Sequence, residues 1–219
     1  MARVRKAADD RRAEIQRVAL GLFTRHGYET TSLREIAEEL GITKAGVYYH
    51  FDSKEAIVRS LFEERLAALD GLVEWAEGQP RTPERSAAIA AGWFRLLVAD
   101  GLEFARFAIA NQAALRDLAP HRGNGALDRV QKISALLADA GAPPSEQLRI
   151  RMAMISVNLA VMAAHGLDLT DEEILAAASE VAGLIAPSLA TSLRGSAAEG
   201  GEDLPDGGVP VEVAQPDRR

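Results

Sequence analysis

The sequence predicts an all-α protein in which a small N-terminal helical domain is joined by one long helix to a larger helical domain. Three observations support this fold class. Apolar residues recur at helical spacing, no stretch shows the alternation of a strand, and capping residues and glycines mark where helices start and stop. The predicted segments are a flexible basic arm (1–10), a small domain (11–54), a larger domain (55–194) and a disordered acidic tail (195–219).

The composition is that of an ordinary globular protein. Of the 219 residues, 47% are hydrophobic, which is enough to form a buried core. Cysteine is absent, which excludes disulfides and thiolate chemistry. No apolar run reaches the length of a membrane span, and the charged N-terminus does not resemble a signal peptide. We therefore expect a cytoplasmic protein with no membrane partner.

The charge is distributed unevenly along the chain. The formal net charge is −7, yet residues 1–54 contain ten Lys and Arg against eight acidic residues. That segment therefore has a net charge of +2, which leaves a net charge of −9 for residues 55–219. Such asymmetry indicates one end that faces nucleic acid and a body that does not.

The first helix is expected from about Asp10 to His26, where Gly27 ends it. Its inward stripe consists of Ile15, Val18, Ala19, Leu22 and Phe23. Residues 1–10 precede this periodicity and are expected to be flexible. Their basic side chains either add contacts to a DNA backbone or have no role.

A helix-turn-helix is predicted next. Ser32 followed three residues later by Glu35 is a capping box, so a helix starts at Leu33. Gly41 supplies the left-handed conformation that ends this helix. Thr43 then caps a second helix of about two turns, Lys44–His50.

The outward face of this second helix suits a DNA major groove. Val47 and Phe51 point inward, one turn apart, so the opposite side faces solvent. That side consists of Lys44, Ala45, Gly46, Tyr48, Tyr49 and His50. Small residues allow close approach, and the others can donate to bases or phosphates. Taken alone, the tyrosines favour a packing edge and the histidine an ordinary surface position. Together with the capped helices, the turn glycine and the small residues, they favour DNA binding.

The long helix follows directly. Ser53 caps it, and no proline or glycine interrupts the chain between Lys54 and Asp70, so we expect one helix to run to about Trp75 and to link the two domains mechanically. Because helix N-termini attract phosphate, Lys54 is a candidate for a backbone contact.

The stretch from Thr30 to Glu55, TTSLREIAEELGITKAGVYYHFDSKE, resembles the DNA-binding domain of the TetR family of bacterial transcriptional regulators. The resemblance covers about the first quarter of the chain, and the rest is similar to the family only in length and helical character. It implies DNA contacts through Thr43, Lys44, Ala45, Gly46, Tyr48, Tyr49 and His50. It also implies phosphate contacts through Ser32 and Lys54.

Five more helices are predicted in the larger domain, near residues 83–100, 102–118, 126–140, 145–165 and 171–186. The last two carry apolar residues over wide arcs, and the 145–165 helix should be buried nearly all round. A single chain could not cover both surfaces, which predicts a homodimer interface built from these two helices. The alternative is an internal core helix. The resemblance implies the same dimer.

Polar or aromatic residues inside apolar helices are the candidates for a small-molecule site. They are Trp93, Phe94, Phe104, Phe107, Asn111, Met152, Asn158 and Met162. Core packing is the alternative for each of them. The two asparagines stand out because a buried amide needs hydrogen-bond partners. The resemblance implies a ligand cavity between such helices, and the apolar surroundings indicate a largely apolar effector.

These features predict a ligand-responsive homodimeric transcriptional regulator, most simply a repressor released from a palindromic operator. One alternative is a constitutive DNA-binding or architectural protein. An enzyme is the other, and the sequence argues against it. His26, His50, His121 and His165 are scattered, with no metal-ligand spacing, phosphate-binding loop or nucleophile motif, so no cofactor is expected.

Overall fold

The structure is a computed structural model that describes residues 2–98, 102–111, 115, 125–138, 141–187 and 189. Within these ranges the chain forms nine α-helices and no strand, which confirms the all-α prediction. The helices are α1 (Ala2–His26), α2 (Leu33–Glu39), α3 (Lys44–His50), α4 (Lys54–Glu77), α5 (Pro83–Val98), α6 (Glu103–Ala110), α7 (Gly125–Leu137), α8 (Pro144–Ala163) and α9 (Asp171–Ile185). The predicted tail, 195–219, lies outside the described residues.

Helices α1 to α3 and the start of α4 surround one hydrophobic core. The predicted stripe of α1 points into it, with Ile15, Ala19 and Phe23 fully buried. Gly27 ends α1 with a φ of +92°, a conformation that favours glycine. The same core receives residues of α2, α3 and α4, namely Ile36, Ala37, Val47, Ile57 and Val58. The four helices therefore bury their apolar sides jointly.

The start of α1 differs from the prediction. The helix begins at Ala2 instead of near Asp10, so the predicted helix start is wrong. The flexibility expected for residues 1–10 stays a prediction. The stretch ARVRKAADD contains no glycine or proline and several strong helix formers. A helix already anchored in the core at Ile15 extends over such residues at little cost, because propagation is easier than nucleation.

A second core lies among α4, α5, α7, α8 and α9. The second half of α4 contributes to it, so this helix joins both cores, as predicted for the long helix. The Leu72 side chain of α4 packs onto α5 at Gly92, where a Cβ atom would come within 2.9 Å of Leu72 Cδ1. The most buried members of this core are Ala76, Ile89, Ala90, Phe94, Ile133, Ile150, Ala153, Met154, Ala182 and Ala186.

Helix α6 contacts both parts of the molecule. Phe107 is fully buried in the N-terminal core, against Phe23. At the other end of the helix, Leu102 packs against Val161 and Ile174. The helix ends at Ala110, short of the predicted 118; residues 112–114 and 116–124 lie outside the described part of the chain.

The expectation that the 145–165 helix is buried nearly all round is wrong for the single chain. Its inner side, which includes Met154 and Val157, is buried against neighbouring helices. Its outer side remains 40–57% exposed, through Leu148, Met152, Ile155, Leu159 and Met162. In one copy, the neighbouring helices cover only part of the circumference of α8. None of the helices in the described ranges is both long and apolar enough to cross a membrane.

Candidate nucleic-acid interface

The start of α2 is held by the predicted capping box. Ser32 Oγ accepts a hydrogen bond from the Glu35 amide at 3.3 Å, and the Glu35 carboxylate accepts one from the Ser32 amide at 2.7 Å. Hydrogen bonds from the Ser32 side chain and backbone hold the pKa of Glu35 below its ordinary value. Gly41 has a φ of +64° and turns the chain towards α3. The Ile42 amide donates back to the Ala37 carbonyl at 3.0 Å, which closes the turn.

The orientation of α3 is set by what it buries. Thr43 Oγ1 accepts a hydrogen bond from the Gly46 amide at 3.1 Å and starts the helix. Val47 is 0% exposed and Phe51, at the end of the helix, is 2% exposed. With this side fixed in the core, the opposite side of α3 must face solvent.

The structure places the predicted reading residues of α3 on one outward surface. Tyr49 is 82% exposed and Tyr48 45% exposed. Thr43, Lys44 and Ala45 are also exposed, while Gly46 and His50 are half-buried beside them. The Lys44 ammonium lies 5.4 Å from the Tyr48 ring centroid, and the Tyr49 and His50 rings meet edge to face at 5.0 Å. Ser32 is exposed at the start of α2. That these residues touch DNA stays a prediction.

Lys54 is placed differently from the prediction. Its ammonium donates to the carbonyls of Tyr28 at 2.6 Å, Glu29 at 3.0 Å and Thr31 at 3.2 Å. It also lies 4.5 Å from the Tyr28 ring centroid. A lysine has three donors, and these carbonyls occupy all of them. The geometry thus argues against a phosphate contact and makes Lys54 a clamp between the start of α4 and the turn after α1.

Sequence reasoning missed Tyr28, which lies at the centre of this turn. Its hydroxyl donates to Glu55 Oε1 at 2.9 Å, and burial raises the pKa of the Tyr28 phenol. The backbone amide of Glu55 itself, followed by hydrogen bonds from Ser53 and Tyr28, holds the pKa of the Glu55 carboxyl below its ordinary value. A lone aromatic residue directly after the helix-ending glycine is a signal that could have indicated a buried anchor.

Arg12 was also missed. Its Nη1 donates to the carbonyl of His50, the last residue of α3, at 3.0 Å. Its guanidinium lies over the Phe51 ring, 4.1 Å from the centroid. Nothing in the sequence distinguishes this arginine from the other basic residues in RKAADDRRAE. Its partner lies 38 positions away in the chain, so no local pattern indicates the contact.

Within the described ranges, the eight candidate ligand residues lie in three separate places, and a ligand contact stays a prediction for each of them. Trp93 and Phe94 are 4% and 1% exposed and pack inside the second core. Met152 and Met162 are 50% and 51% exposed, on the outer side of α8. Asn158, expected to be buried, is exposed there too and donates to the Met154 carbonyl of its own helix at 3.0 Å.

The remaining three candidates attach α6 to the N-terminal core. Phe107 stacks on Phe23, with ring centroids 5.6 Å apart. Phe104 lies beneath the Arg65 guanidinium of α4, 3.7 Å from its ring centroid. Asn111 donates to the Phe107 carbonyl at 2.9 Å and accepts from the Tyr28 amide at 3.4 Å. Sequence alone could not tell which core this helix joins.

A groove of about 510 Å³ lies between α4 and α7. Five of its six lining residues are polar or charged, and the six are Asp70, Asp128, Arg129, Gln131, Lys132 and Ala135. The Arg129 guanidinium pairs with Asp70 and donates to the carbonyls of Leu66 at 3.3 Å and Gly125 at 2.8 Å. A groove with this lining does not suit a largely apolar effector.

Comparisons with known proteins agree with the helix-turn-helix. The family model described as bacterial regulatory proteins, tetR family, matches residues 15–61. An uncharacterized HTH-type transcriptional regulator of Bacillus subtilis, YfiR, is 40% identical over 58 residues, which are 26% of this chain and 28% of that protein. The HTH-type transcriptional repressor KstR2 of Rhodococcus jostii is 39% identical over 61 residues, 28% of this chain and 30% of that one. These matches therefore span less than a third of the relatives.

The fold of the chain as a whole also has a relative among solved structures. The fatty acid degradation regulator FadR from Bacillus halodurans is similar with a TM-score of 0.53 at 17% identity, over 80% of this chain and 93% of that one. At this level of identity the likeness concerns the fold. It extends well beyond the helix-turn-helix into the second core.

Proposed function

Because this chain belongs to the TetR family of bacterial regulatory proteins through its N-terminal domain, we propose that it is a homodimeric transcriptional regulator of the cytoplasm. It binds a palindromic operator in double-stranded DNA as a repressor, and a small, largely apolar effector releases it. The single observation that supports DNA binding is the orientation of α3. Val47 anchors one side of this helix at 0% exposure, while Tyr49 on the other side is 82% exposed.

The chemistry of that surface suits a duplex. Lys44 donates to guanine acceptors or to a phosphate, and Ala45 and Gly46 leave room for close approach to the base edges. Tyr48, Tyr49 and His50 extend the row of donors towards the backbone. In a dimer, two α3 helices related by a dyad enter successive major grooves, which requires an inverted repeat in the operator.

The distribution of exposed apolar side chains supports the dimer. Twelve large hydrophobic residues are exposed in the described ranges, and nine of them lie on α8, on α9 or in the loop between. Isolated exposed apolar residues are ordinary, but a concentration on one helix pair indicates an interface. Monomers rarely leave so contiguous a surface open to water.

The spacing along α8 adds to this argument. Its exposed apolar residues are Leu148, Met152, Ile155, Leu159 and Met162, in steps of four, three, four and three. Such a repeat forms a narrow seam that suits packing against another helix. On α9, Val181 and Leu184 continue the surface at 47% and 77% exposure. We propose that two copies pair through α8 and α9 and form a four-helix interface.

The response to an effector rests on the two helices that connect the cores. The Lys54 end of α4 clamps the turn after α1, and α6 inserts Phe107 into the N-terminal core. A ligand that favours one arrangement of the larger domain therefore changes the positions of α4 and α6. It thereby alters the separation of the two α3 helices in the dimer.

One observation favours a second candidate, a constitutive DNA-binding protein whose larger domain only dimerises. Trp93 and Phe94, expected at a ligand cavity, are tightly packed in the second core. This candidate predicts a DNA affinity that no small molecule alters. A screen of apolar acids and aromatic compounds for release of bound operator separates the two.

The first experiment is a selection of bound duplexes from a random pool by the purified full-length chain. We expect an inverted repeat, with binding that weakens as salt rises. Recovery of no shared sequence, with only weak salt-sensitive binding, would contradict a sequence-specific regulator. The selected operator then serves for the effector screen.

A charge-matched pair of variants tests the role of α3. Lys44→Ala should cost about 1–3 kcal/mol on the selected operator and relax the preference at one position. Lys132→Ala, on the exposed surface of α7, removes the same charge and should leave operator affinity within about twofold. Equal losses in the two variants would mean that Lys44 acts only through net charge.

A further inference from the structure

Helix α3 is short, and its two ends are held in different ways. Seven residues make two turns, and a helix of that length is not stable by itself. The turn from α2 and the Thr43 cap hold its N-terminal end. The last carbonyls of any helix lack an amide partner within the helix. At the C-terminal end of α3 the His50 carbonyl receives its hydrogen bond from Arg12 of α1.

The contact made by Arg12 has two parts. Nη1 donates to the His50 carbonyl at 3.0 Å, and the guanidinium plane covers the Phe51 ring at 4.1 Å from its centroid. A cation at a helix C-terminus is favoured by the helix dipole, and stacking on an aromatic ring adds to this attraction. The planar group satisfies both contacts together, which an ammonium group cannot do as well.

This contact ties α1 to the end of α3 that carries Tyr49 and His50. The main packing partner of α3 is α2, which holds its other end. Besides Arg12, the buried side chains of Val47 and Phe51 hold the C-terminal turn of α3. Both point into the core, so Arg12 adds the contact that reaches the backbone at the end of this turn, next to Tyr49.

We infer that Arg12 is a positioning residue for sequence recognition. It does not contact DNA; it fixes the C-terminal turn of α3, whose side chains read the sequence. The inference rests on the proposed function, because it needs an operator that α3 reads. Arg12 would thus affect the specificity of α3 although it lies on α1.

The neighbouring residue provides a matched control. Arg11 carries the same charge one position earlier in α1, but it is exposed and pairs with Glu14 at 2.6 Å. Arg12→Gln and Arg11→Gln therefore lose equal charge at adjacent positions of α1. Arg12→Lys retains the charge and removes the planar group.

The experiment measures the affinity of each full-length variant for the selected operator and for a scrambled duplex at several salt concentrations. In Arg12→Gln we expect the ratio of specific to non-specific affinity to fall about tenfold, the size of one charge-assisted hydrogen bond. We expect the same salt dependence as in Arg11→Gln, whose ratio should match that of the wild type. Arg12→Lys should recover only part of the ratio.

Several results would overturn the inference while the proposed function stands. Equal ratios in Arg12→Gln and Arg11→Gln would show that Arg12 has no part in specificity. A loss shared by all sequences, with a salt slope lower by about one than in Arg11→Gln, would make Arg12 a phosphate ligand. Simple unfolding lowers the active fraction alike for both duplexes and leaves the ratio unchanged; if Arg12→Gln does not fold, Arg12→Lys carries the test.

A measurement without DNA separates this inference from the proposed function. Hydrogen exchange at the amides of Tyr49, His50 and Phe51 should be faster in Arg12→Gln than in Arg11→Gln, because the last turn of α3 opens more often. Unchanged exchange would overturn the inference. Failure of the wild type to select any shared sequence would instead overturn the proposed function.

Discussion

Replacing Phe107 by alanine tests whether α6 belongs to the N-terminal core. Phe107 lies outside the helix-turn-helix in sequence, yet it is 0% exposed among residues of α1 and the turn after it. Its ring stacks on Phe23 at 5.6 Å and lies 6.4 Å from the Tyr28 ring in an edge-on arrangement. The substitution removes a whole aromatic ring from the point where α6 meets the DNA-binding domain.

The expected cost follows from this burial. Truncation of a core phenylalanine to alanine costs about 3–5 kcal/mol, which includes the cavity that remains. For a chain of this size, each kcal/mol lowers the midpoint of thermal unfolding by about 2–4 °C. We therefore expect the midpoint to fall by about 6–20 °C. Ile109→Ala, on the same helix at 41% exposure, is the control and should cost about 1 kcal/mol or less.

Thermal unfolding and hydrogen exchange together provide the assay. Phe107→Ala should lose protection first in α1 and in the turn that contains Tyr28, since these elements pack on the missing ring. A cost below about 1 kcal/mol would refute the reasoning. So would a loss of protection confined to α5 and α7 to α9, because Phe107 would then belong to the larger domain, as the ligand-site prediction assumed.

Three further predictions concern the dimer, the DNA contact and pH. Leu159→Glu places a charge in the α8 surface of both copies and should weaken dimerisation by about 100-fold or more. Sedimentation velocity should then show monomers. An unchanged dimer mass would exclude this surface as the interface. Tyr49→Phe should weaken binding to all sequences alike if its hydroxyl contacts phosphate, whereas loss on the operator alone would mean that it reads a base. Glu55→Gln should cost about 1 kcal/mol at pH 7, measured by urea unfolding. Because folding lowers the pKa of Glu55, the wild type and the variant should differ in free energy of unfolding above about pH 4.3, and this difference should disappear as the pH falls through the lowered pKa. A difference that stays constant down to pH 2 would contradict this prediction.

The helix boundaries in the N-terminal domain were largely predictable. Ser32 with Glu35 forms the capping box expected from its spacing. Gly41 adopts the left-handed conformation that ends a helix. These features depend on groups within four positions of one another, so the local sequence is sufficient to determine them. The outward surface of α3 follows from the same local periodicity.

The roles of Lys54 and Phe107 were not predictable. Lys54 occupies the N-terminus of a helix, where a phosphate contact is a reasonable expectation, but three carbonyls from the turn after α1 take its donors. Phe107 has the spacing of any buried aromatic residue, and only the packing of α6 assigns it to the N-terminal core. Both outcomes depend on contacts between segments far apart in the chain.

By itself the sequence determined the helical class, the helix-turn-helix and the outward surface of α3, because periodicity, caps and turn glycines act over one or two helical turns. The tertiary structure decided which core receives α6, which side of α8 stays open and which arginine reaches the end of α3. Apolar residues of equal spacing can pack on several partners, and the partner is selected by the joint burial of all the helices.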